Sequence, residues 1–151
     1  MAYIPKNTLW YIAELVIECN VEGNSRNVVH VNIILVRASS PEQAFDKAEK
    51  FGVESNSTYL NPNNQTVTFT YRGLRGLNVI HDELEDGAEL MYEEKFGICE
   101  SELQQMLTPK SQLAIFRPLE PIDPSKPDYS SKEIMDEVAK MMSGDDVIER
   151  L

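Results

Sequence analysis

The most constraining feature of this sequence is a regular alternation of apolar and other side chains near its N-terminus. Every second residue from position 9 to position 19 is apolar, whereas Glu14 and Glu18 fall on the other set of positions. Because successive side chains of a β-strand point to opposite faces, this pattern predicts a strand with one buried face. The residues expected on that face are Leu9, Tyr11, Ala13, Leu15, Ile17 and Cys19.

A second alternating segment, residues 28–37, follows a polar turn at residues 20–27. It has His30 and Asn32 on one face, and on the other face it has Val29, Val31, Ile33 and Leu35. Two alternating segments joined by a short polar turn predict an antiparallel β-hairpin.

Helix signals begin directly after this hairpin. Ser40 precedes Gln43 by three residues, and Pro41 stands at the expected first helical position. Gly52 is expected just beyond the last turn. The expected apolar stripe consists of Ala44, Phe45, Ala48 and Phe51. A helix this short gains most of its stability from packing, so we expect the stripe to lie across the hairpin.

The middle of the chain predicts further strands. Tyr59 and Leu60 precede a turn at residues 61–64, and residues 66–71 then alternate again, which predicts a second hairpin. Gly73 and Gly76 predict a bulge or bend in the continuing segment. Residues 88–96 are expected to form another strand. The predicted fold class is therefore α+β, with an antiparallel sheet of about five strands and one helix across a face.

The C-terminal third differs in character from the rest. A short helix at residues 101–107 is expected to bury Leu103, Met106 and Leu107, and residues 113–116 are expected to be extended. Proline then recurs at every third position from 118 to 127, which is typical of an extended polyproline II segment. We expect a core domain over residues 1–117, a proline-rich arm over 118–129 and an amphipathic helical segment over 130–151, opened by Ser130 three residues before Glu133.

Charge excludes some classes of partner. The net charge is −11, and the 14 Lys and Arg residues form no basic stripe, so direct binding to nucleic acid is disfavoured. The chain has no apolar run of the ~20 residues that span a bilayer, and its start lacks the order of a signal peptide. We expect a cytoplasmic protein without a membrane partner. Cys19 and Cys99 are expected to be buried thiols.

No local signature of catalysis or metal binding occurs in the sequence. Residues 82–102 contain nine carboxylates and the single base Lys95, but they lack the ligand spacing of a calcium loop, so we expect a solvated acidic surface and neither metal nor cofactor. Arg72 and Arg75 flank Gly73 and are suited either to an anionic ligand or to the chain's own carboxylates. His81 and Asp82 are adjacent, and we expect them to serve a structural hydrogen bond rather than acid–base chemistry.

Four segments carry a family resemblance: WYIAEL at residues 10–15, the helix containing Ala44 and Ala48, GLRGLNVI at 73–80 and DELEDGAEL at 82–90. Together they resemble the bacterial, often cyanobacterial, family called domain of unknown function 4288, over roughly residues 9–96. The resemblance implies a small α+β domain in a bacterial cytoplasm, and it brings no catalytic residues.

The leading functional hypothesis is a non-enzymatic, acidic protein-binding module that binds a protein partner or a second copy of itself through the C-terminal arm. Its candidate partner-binding residues are Ile134, Met135, Val138, Met141 and Met142. Whether this helix packs on its own domain is left open. One alternative is an enzyme or small-ligand protein with a discontinuous site formed by Arg72, Arg75, His81 and Asp82. Another is an immunity or inhibitor protein that covers a basic toxin.

Overall fold

The computed structural model describes residues 9–121 and 123–143. The first four strands and the helix between them are β1 (Leu9–Val21), β2 (Val28–Ala38), α1 (Pro41–Glu54), β3 (Ser57–Leu60) and β4 (Thr66–Val79). The later elements are α2 (Glu100–Gln105), two 3-10 turns (Lys110–Gln112 and Ala114–Phe116) and α3 (Lys132–Ser143). The α+β class is confirmed, with four strands in the described residues rather than about five.

The strands form one antiparallel sheet in the order β2-β1-β4-β3. Both predicted hairpins are confirmed, because β1 pairs with β2 and β3 pairs with β4. β1 also pairs with β4, which makes it a central strand flanked on both sides. Its predicted apolar face is the core of the protein: Tyr11, Ala13, Leu15, Ile17 and Cys19 are all at most 3% exposed.

α1 lies on that core face and begins where the sequence predicts. The Ser40 hydroxyl accepts a hydrogen bond from the backbone N–H of Gln43 at 3.1 Å, and Pro41 occupies the first turn. The prediction that the helix stops before Gly52 is wrong, because α1 continues to Glu54. Gly52 is needed inside the helix, since a Cβ there would come within 2.5 Å of the Tyr71 ring.

Only half of the predicted apolar stripe of α1 is buried. Ala44 and Ala48 are fully buried, but Phe45 and Phe51 remain about half exposed. The helix therefore packs on the sheet through small residues, which let its backbone come close to the strands. Large side chains on that line would hold it away from the sheet.

β4 has the irregularity predicted at its RGLRGL repeat, residues 72–77. Its register with β1 shifts at two points and leaves Arg72 and Arg75 with no opposite residue on β1. Each arginine is thus the extra residue of a β-bulge, and such a bulge changes the direction in which side chains of the strand point. Leu74 and Leu77 pack against the core. Gly73 has a φ of +135°, which side-chain-bearing residues rarely adopt.

Residues 81–121 leave the sheet after Ile80. From here on we call this segment the arm; it begins well before the proline-rich arm predicted at residues 118–129. Residues 88–96 form no strand, contrary to prediction, and α2 and the 3-10 turns make no more than marginal contact with the strands. Backbone N–H and C=O groups pair in a strand only beside another strand, and no strand edge lies against this segment. Four residues predicted to be buried are exposed instead: Cys99, Leu103, Met106 and Leu107. Within the predicted extended segment 113–116, Ala114–Phe116 form a 3-10 turn instead.

Residues 123–131, which we call the strap, return to the end of the sheet opposite to Ile80. The side chain of the fully buried Asn61 donates to the carbonyl oxygens of Gln65 (side chain) and Asp128 (backbone), each at 2.9 Å. The hydroxyl of Tyr59 donates to the backbone oxygen of Tyr129. The strap thereby covers the part of the core face that α1 leaves free. Residue 122 and residues 144–151 of the predicted C-terminal segments lie outside the described residues.

α3 follows the strap, one residue later than its predicted start. Ser131 rather than Ser130 stands at its N-terminus, where the backbone N–H of Met135 donates to the Ser131 carbonyl at 2.9 Å. The hydroxyl of Ser130 instead donates to the Asp128 carboxylate at 2.6 Å. Lys132 donates to the side chain of Asn64 at 2.8 Å, so the first turn of α3 lies beside β3.

Candidate functional site

The face of the sheet opposite to α1, which we call the open face, is exposed along β2, whereas Ile12 on β1 is only 2% exposed. Its apolar side chains come from β1 and β2. They are Trp10, Ile12, Val16, Val29, Val31, Ile33 and Leu35. Val29 is 53% exposed, Ile33 59% and Leu35 46%, whereas the core face of β1 is closed to solvent.

The concentration of exposed apolar residues on β2 is unusual because β2 is an edge strand. It pairs only with β1 among the described strands. Long apolar edge strands tend to pair or pack with other chains, and proteins commonly protect them with lysine, proline or a covering element. β2 contains neither lysine nor proline. This half of the open face is therefore a surface on which apolar area can be buried by association.

The other half of the open face carries two ion pairs. The guanidinium of Arg75 contacts the carboxylate of Glu14 at 2.6 Å, and that of Arg72 lies 3.8 Å from the carboxylate of Glu18. Both glutamates stand on β1 and both arginines are bulge residues of β4. The RGLRGL repeat thus places its leucines in the core and its arginines on the open face.

The inner pair is the more enclosed of the two. Glu14 is only 8% exposed, although it is ionisable, and its carboxylate accepts the short hydrogen bond from Arg75. A Cβ at position 76 would overlap that carboxylate, so Gly76 makes room for it. A buried carboxylate needs such a partner, because an unpaired charge away from water is strongly unfavourable.

A third arginine lies at the end of β2. The guanidinium carbon of Arg37 lies 5.7 Å from the centre of the Trp10 ring, within the range of a cation–π contact. The open face then has three arginines (Arg37, Arg72 and Arg75) and two glutamates (Glu14 and Glu18), a net charge of 3 − 2 = +1. The whole chain, in contrast, has a net charge of −11.

The four residues of the predicted discontinuous site do not share one pocket. Arg72 and Arg75 are held in the ion pairs of the open face. His81 and Asp82 line a shallow surface pocket of about 430 Å³ whose lining contains neither arginine. The Asp82 carboxylate accepts a hydrogen bond from the backbone N–H of Glu89 at 3.0 Å, so it holds the start of the arm.

The predicted partner-binding residues of α3 are exposed. Ile134, Met135, Val138, Met141 and Met142 expose between 41% and 80% of their surface, and no described residue of α3 is buried. Because only the first turn of the helix is tied to the domain, its apolar stripe is available to another surface.

Burial raises the pKa of three side chains that lie in the core or pack against it. Burial raises the pKa of Tyr71 to about 12, with the nearby Glu49 carboxylate, which accepts a hydrogen bond from its hydroxyl at 3.2 Å, as a smaller cause. Burial also raises the pKa of Tyr59 and that of the Cys19 thiol. Each shift keeps the group neutral inside the fold, which suits a structural role.

No three His, Cys, Asp or Glu side chains within residues 9–121 and 123–143 are arranged to hold a metal ion. In the same residues no helix combines the length and apolar character needed to cross a bilayer.

Sequence reasoning missed the open face as a site. The alternation of β2 places its valines, Ile33 and Leu35 on one face, and pairing with β1 puts that face on the side of Glu14 and Glu18. The signal was therefore present in the register of the first hairpin. It was overlooked because an apolar strand face is ordinarily expected to be a core face.

The comparison with curated proteins finds no match, and the comparison with solved structures finds none either. The family model described as domain of unknown function (DUF4288) matches residues 10–92. That match covers more than half of the chain, from the second residue of β1 to the first part of the arm. The chain belongs to the DUF4288 family.

Proposed function

We propose that this chain is a non-enzymatic protein-binding module and that the open face of its sheet is the binding surface. The observation that carries the proposal is the row of half-exposed apolar side chains on β2, the edge strand of the described sheet. Burying apolar surface contributes roughly 25 cal/mol per Å², so a partner that covers this row would bind favourably.

The neighbouring ion pairs would give such binding its specificity. Arg72 and Arg75 are each more than half exposed in their side chains, although each contacts a glutamate. They can therefore offer further N–H donors to carboxylates of a partner while they remain paired. A partner that combines apolar and acidic side chains fits this surface best.

α3 supplies a second candidate surface for the same function. Its exposed stripe contains Met135, Met141 and Met142, and methionine-rich stripes adapt to different partners. Self-association through this segment remains part of the proposal.

An enzymatic role has less support. Arg72 and Arg75 are engaged by Glu18 and Glu14, and the pocket beside His81 is shallow and lacks both arginines. An inhibitor of a basic toxin would be one form of protein-binding module, and the test below includes that outcome.

The test uses two adjacent residues on opposite faces of β2. Ile33→Glu places a charge in the apolar row, while Asn32→Glu places the same charge on the other face, where Asn32 is also exposed. Wild type and both variants are compared as baits in affinity capture and as samples in light scattering. We expect a captured protein, or self-association, that survives Asn32→Glu and is lost with Ile33→Glu. A basic captured protein would identify the inhibitor form.

The proposal fails if wild type is strictly monomeric and retains no protein that depends on Ile33. Matching changes in both variants would equally count against it, because they would point to net charge rather than to the open face. Val138→Glu beside Ala139→Glu applies the same comparison to the stripe of α3.

A further inference from the structure

We infer that the occupant of the open face is a second copy of this chain. In the resulting dimer, the arm of each copy lies on the open face of the other. The inference rests on the proposed function and names its partner. Residues 82–117 are the part of the arm that makes the contact.

Charge complementarity is the first argument. Residues 82–102 carry nine carboxylates and one lysine: Asp82, Glu83, Glu85, Asp86, Glu89, Glu93, Glu94, Glu100, Glu102 and Lys95. The open face carries a net charge of +1 in a chain of net charge −11. Two such chains repel one another in most orientations. An approach that brings the acidic arm of one to the arginines of the other places opposite charges together.

The arm also has the apolar side chains that the open face requires. Tyr92 is 72% exposed and Phe96 is 83% exposed. Leu84, Leu90 and Met91 expose 40% to 47% of their surface. An acidic segment that carries exposed aromatic and aliphatic residues matches an apolar row beside arginines in both of its properties.

Chain length shows that the arm is more than a connection. It leaves the sheet at Ile80, whose N–H donates to the Trp10 carbonyl at 2.8 Å, and it returns as the strap at the opposite end, where Asn61 binds Asp128. β4 has 14 residues and spans about 45 Å at about 3.3 Å per residue, so about 14 residues would connect the two ends. The connection uses residues 81–122 instead. Most of them are thus available to reach another surface.

Exchange between two copies suits this arrangement. Both ends of the arm are held to their own domain, while Tyr92 and Phe96 between them are 72% and 83% exposed. In a two-fold dimer the same contact occurs twice, since each arm meets the partner's face. Stable interfaces of standard size use about 20–30 residues a side. The open face and residues 82–117 together supply that number.

The test is complementation between a face variant and an arm variant of the full-length chain. Ile33→Glu disables the face and leaves the arm intact; Tyr92→Ser combined with Phe96→Ser disables the arm and leaves the face intact. Dissociation constants are measured by sedimentation for wild type, for each variant, for Asn32→Glu as a control, and for an equimolar mixture of the two disabled variants.

We expect wild type and Asn32→Glu to dimerise and each disabled variant to dimerise at least about 100-fold more weakly. The mixture should form a heterodimer at least about tenfold tighter than either variant with itself, because one of its two contacts is wild type. Raising NaCl from about 0.05 M to about 0.5 M should weaken the wild-type dimer at least about tenfold.

Three results would overturn the inference: a wild-type monomer at all concentrations, an arm variant that dimerises as well as wild type, or a mixture no tighter than its components. Insensitivity to salt would overturn its electrostatic basis. If wild type is monomeric but captures a different protein through Ile33, the proposed function stands and only the second copy is excluded. If neither is seen, both fail.

Discussion

The contact between Gly52 and Tyr71 allows a prediction in which two physical effects have opposite signs. Gly52 lies inside α1, where replacing glycine by alanine ordinarily stabilises a helix by about 1 kcal/mol. The new methyl group, however, would lie 2.5 Å from carbon atoms of the Tyr71 ring. The ring would have to move by about 1 Å to restore an ordinary carbon–carbon contact of about 3.5 Å.

Displacing Tyr71 has a cost that exceeds the gain in helix propensity. Overpacking a filled site costs about 1–3 kcal/mol, and the movement also disturbs the hydrogen bond from the Tyr71 hydroxyl to Glu49. We therefore expect Gly52→Ala to lower the free energy of unfolding by about 1–2 kcal/mol. In a Tyr71→Val background, which removes the ring, the same change should raise it by about 0.5–1 kcal/mol.

The assay is urea unfolding of wild type, both single variants and the double variant at one protein concentration. The expected interaction energy between positions 52 and 71 is about 2 kcal/mol. Stabilisation by Gly52→Ala in the wild-type background, or an interaction energy within about 0.5 kcal/mol of zero, would refute the reasoning.

Three further predictions concern other contacts. Gly76→Ala should displace the Glu14 carboxylate and lower the free energy of unfolding by about 2–3 kcal/mol, but by less than about 1 kcal/mol in a Glu14→Ala background, as measured by urea unfolding. Asn61→Ala removes the hydrogen bond to Asp128 that joins the strap to the β3–β4 turn and two hydrogen bonds within that turn, and it should cost about 2–4 kcal/mol, with faster amide exchange in the strap than in β1. Because the pKa of Tyr71 is raised to about 12 in the folded state, its contribution to stability is fully present below pH 10 and is lost as pH rises from about 10 through about 12. The midpoint of urea unfolding should therefore fall across that pH interval, and it should fall less in Tyr71→Phe.

The sheet was predictable from sequence because its signals are local. Alternation in β1 and β2, the turn after Leu60 and the Ser40 cap each depend on neighbouring residues, and the structure confirms them. Gly73 and Gly76 likewise indicated the bulges of β4 correctly.

The errors came from contacts between distant parts of the chain. Glycine is typical of the end of a helix, but Gly52 lies inside α1 because the ring of Tyr71 from β4 leaves no room for a side chain there. Residues 88–96 have the composition of a strand, yet a strand requires a neighbour, and none is present in the described single chain.

The candidate site was harder to predict for the same reason. Sequence analysis identified Arg72 and Arg75 and considered pairing with the chain's own carboxylates. It did not identify the partners, because Glu14 and Glu18 lie more than fifty residues earlier. The packing of the whole domain determines which face of the hairpin is covered by α1. Local patterns do not contain that information.

The central claim, that the open face is a binding surface, is tested most directly by hydroxyl-radical footprinting of the wild-type chain over a range of concentrations. Trp10 and Leu35 report on the open face, while Phe45 and Phe51 of α1 are comparably exposed and serve as internal references. We predict that oxidation of Trp10 and Leu35 falls with rising concentration, or on addition of a captured partner, while oxidation of Phe45 and Phe51 stays constant. Oxidation of Trp10 and Leu35 that remains constant under both conditions, or falls equally at all four residues, would contradict the claim.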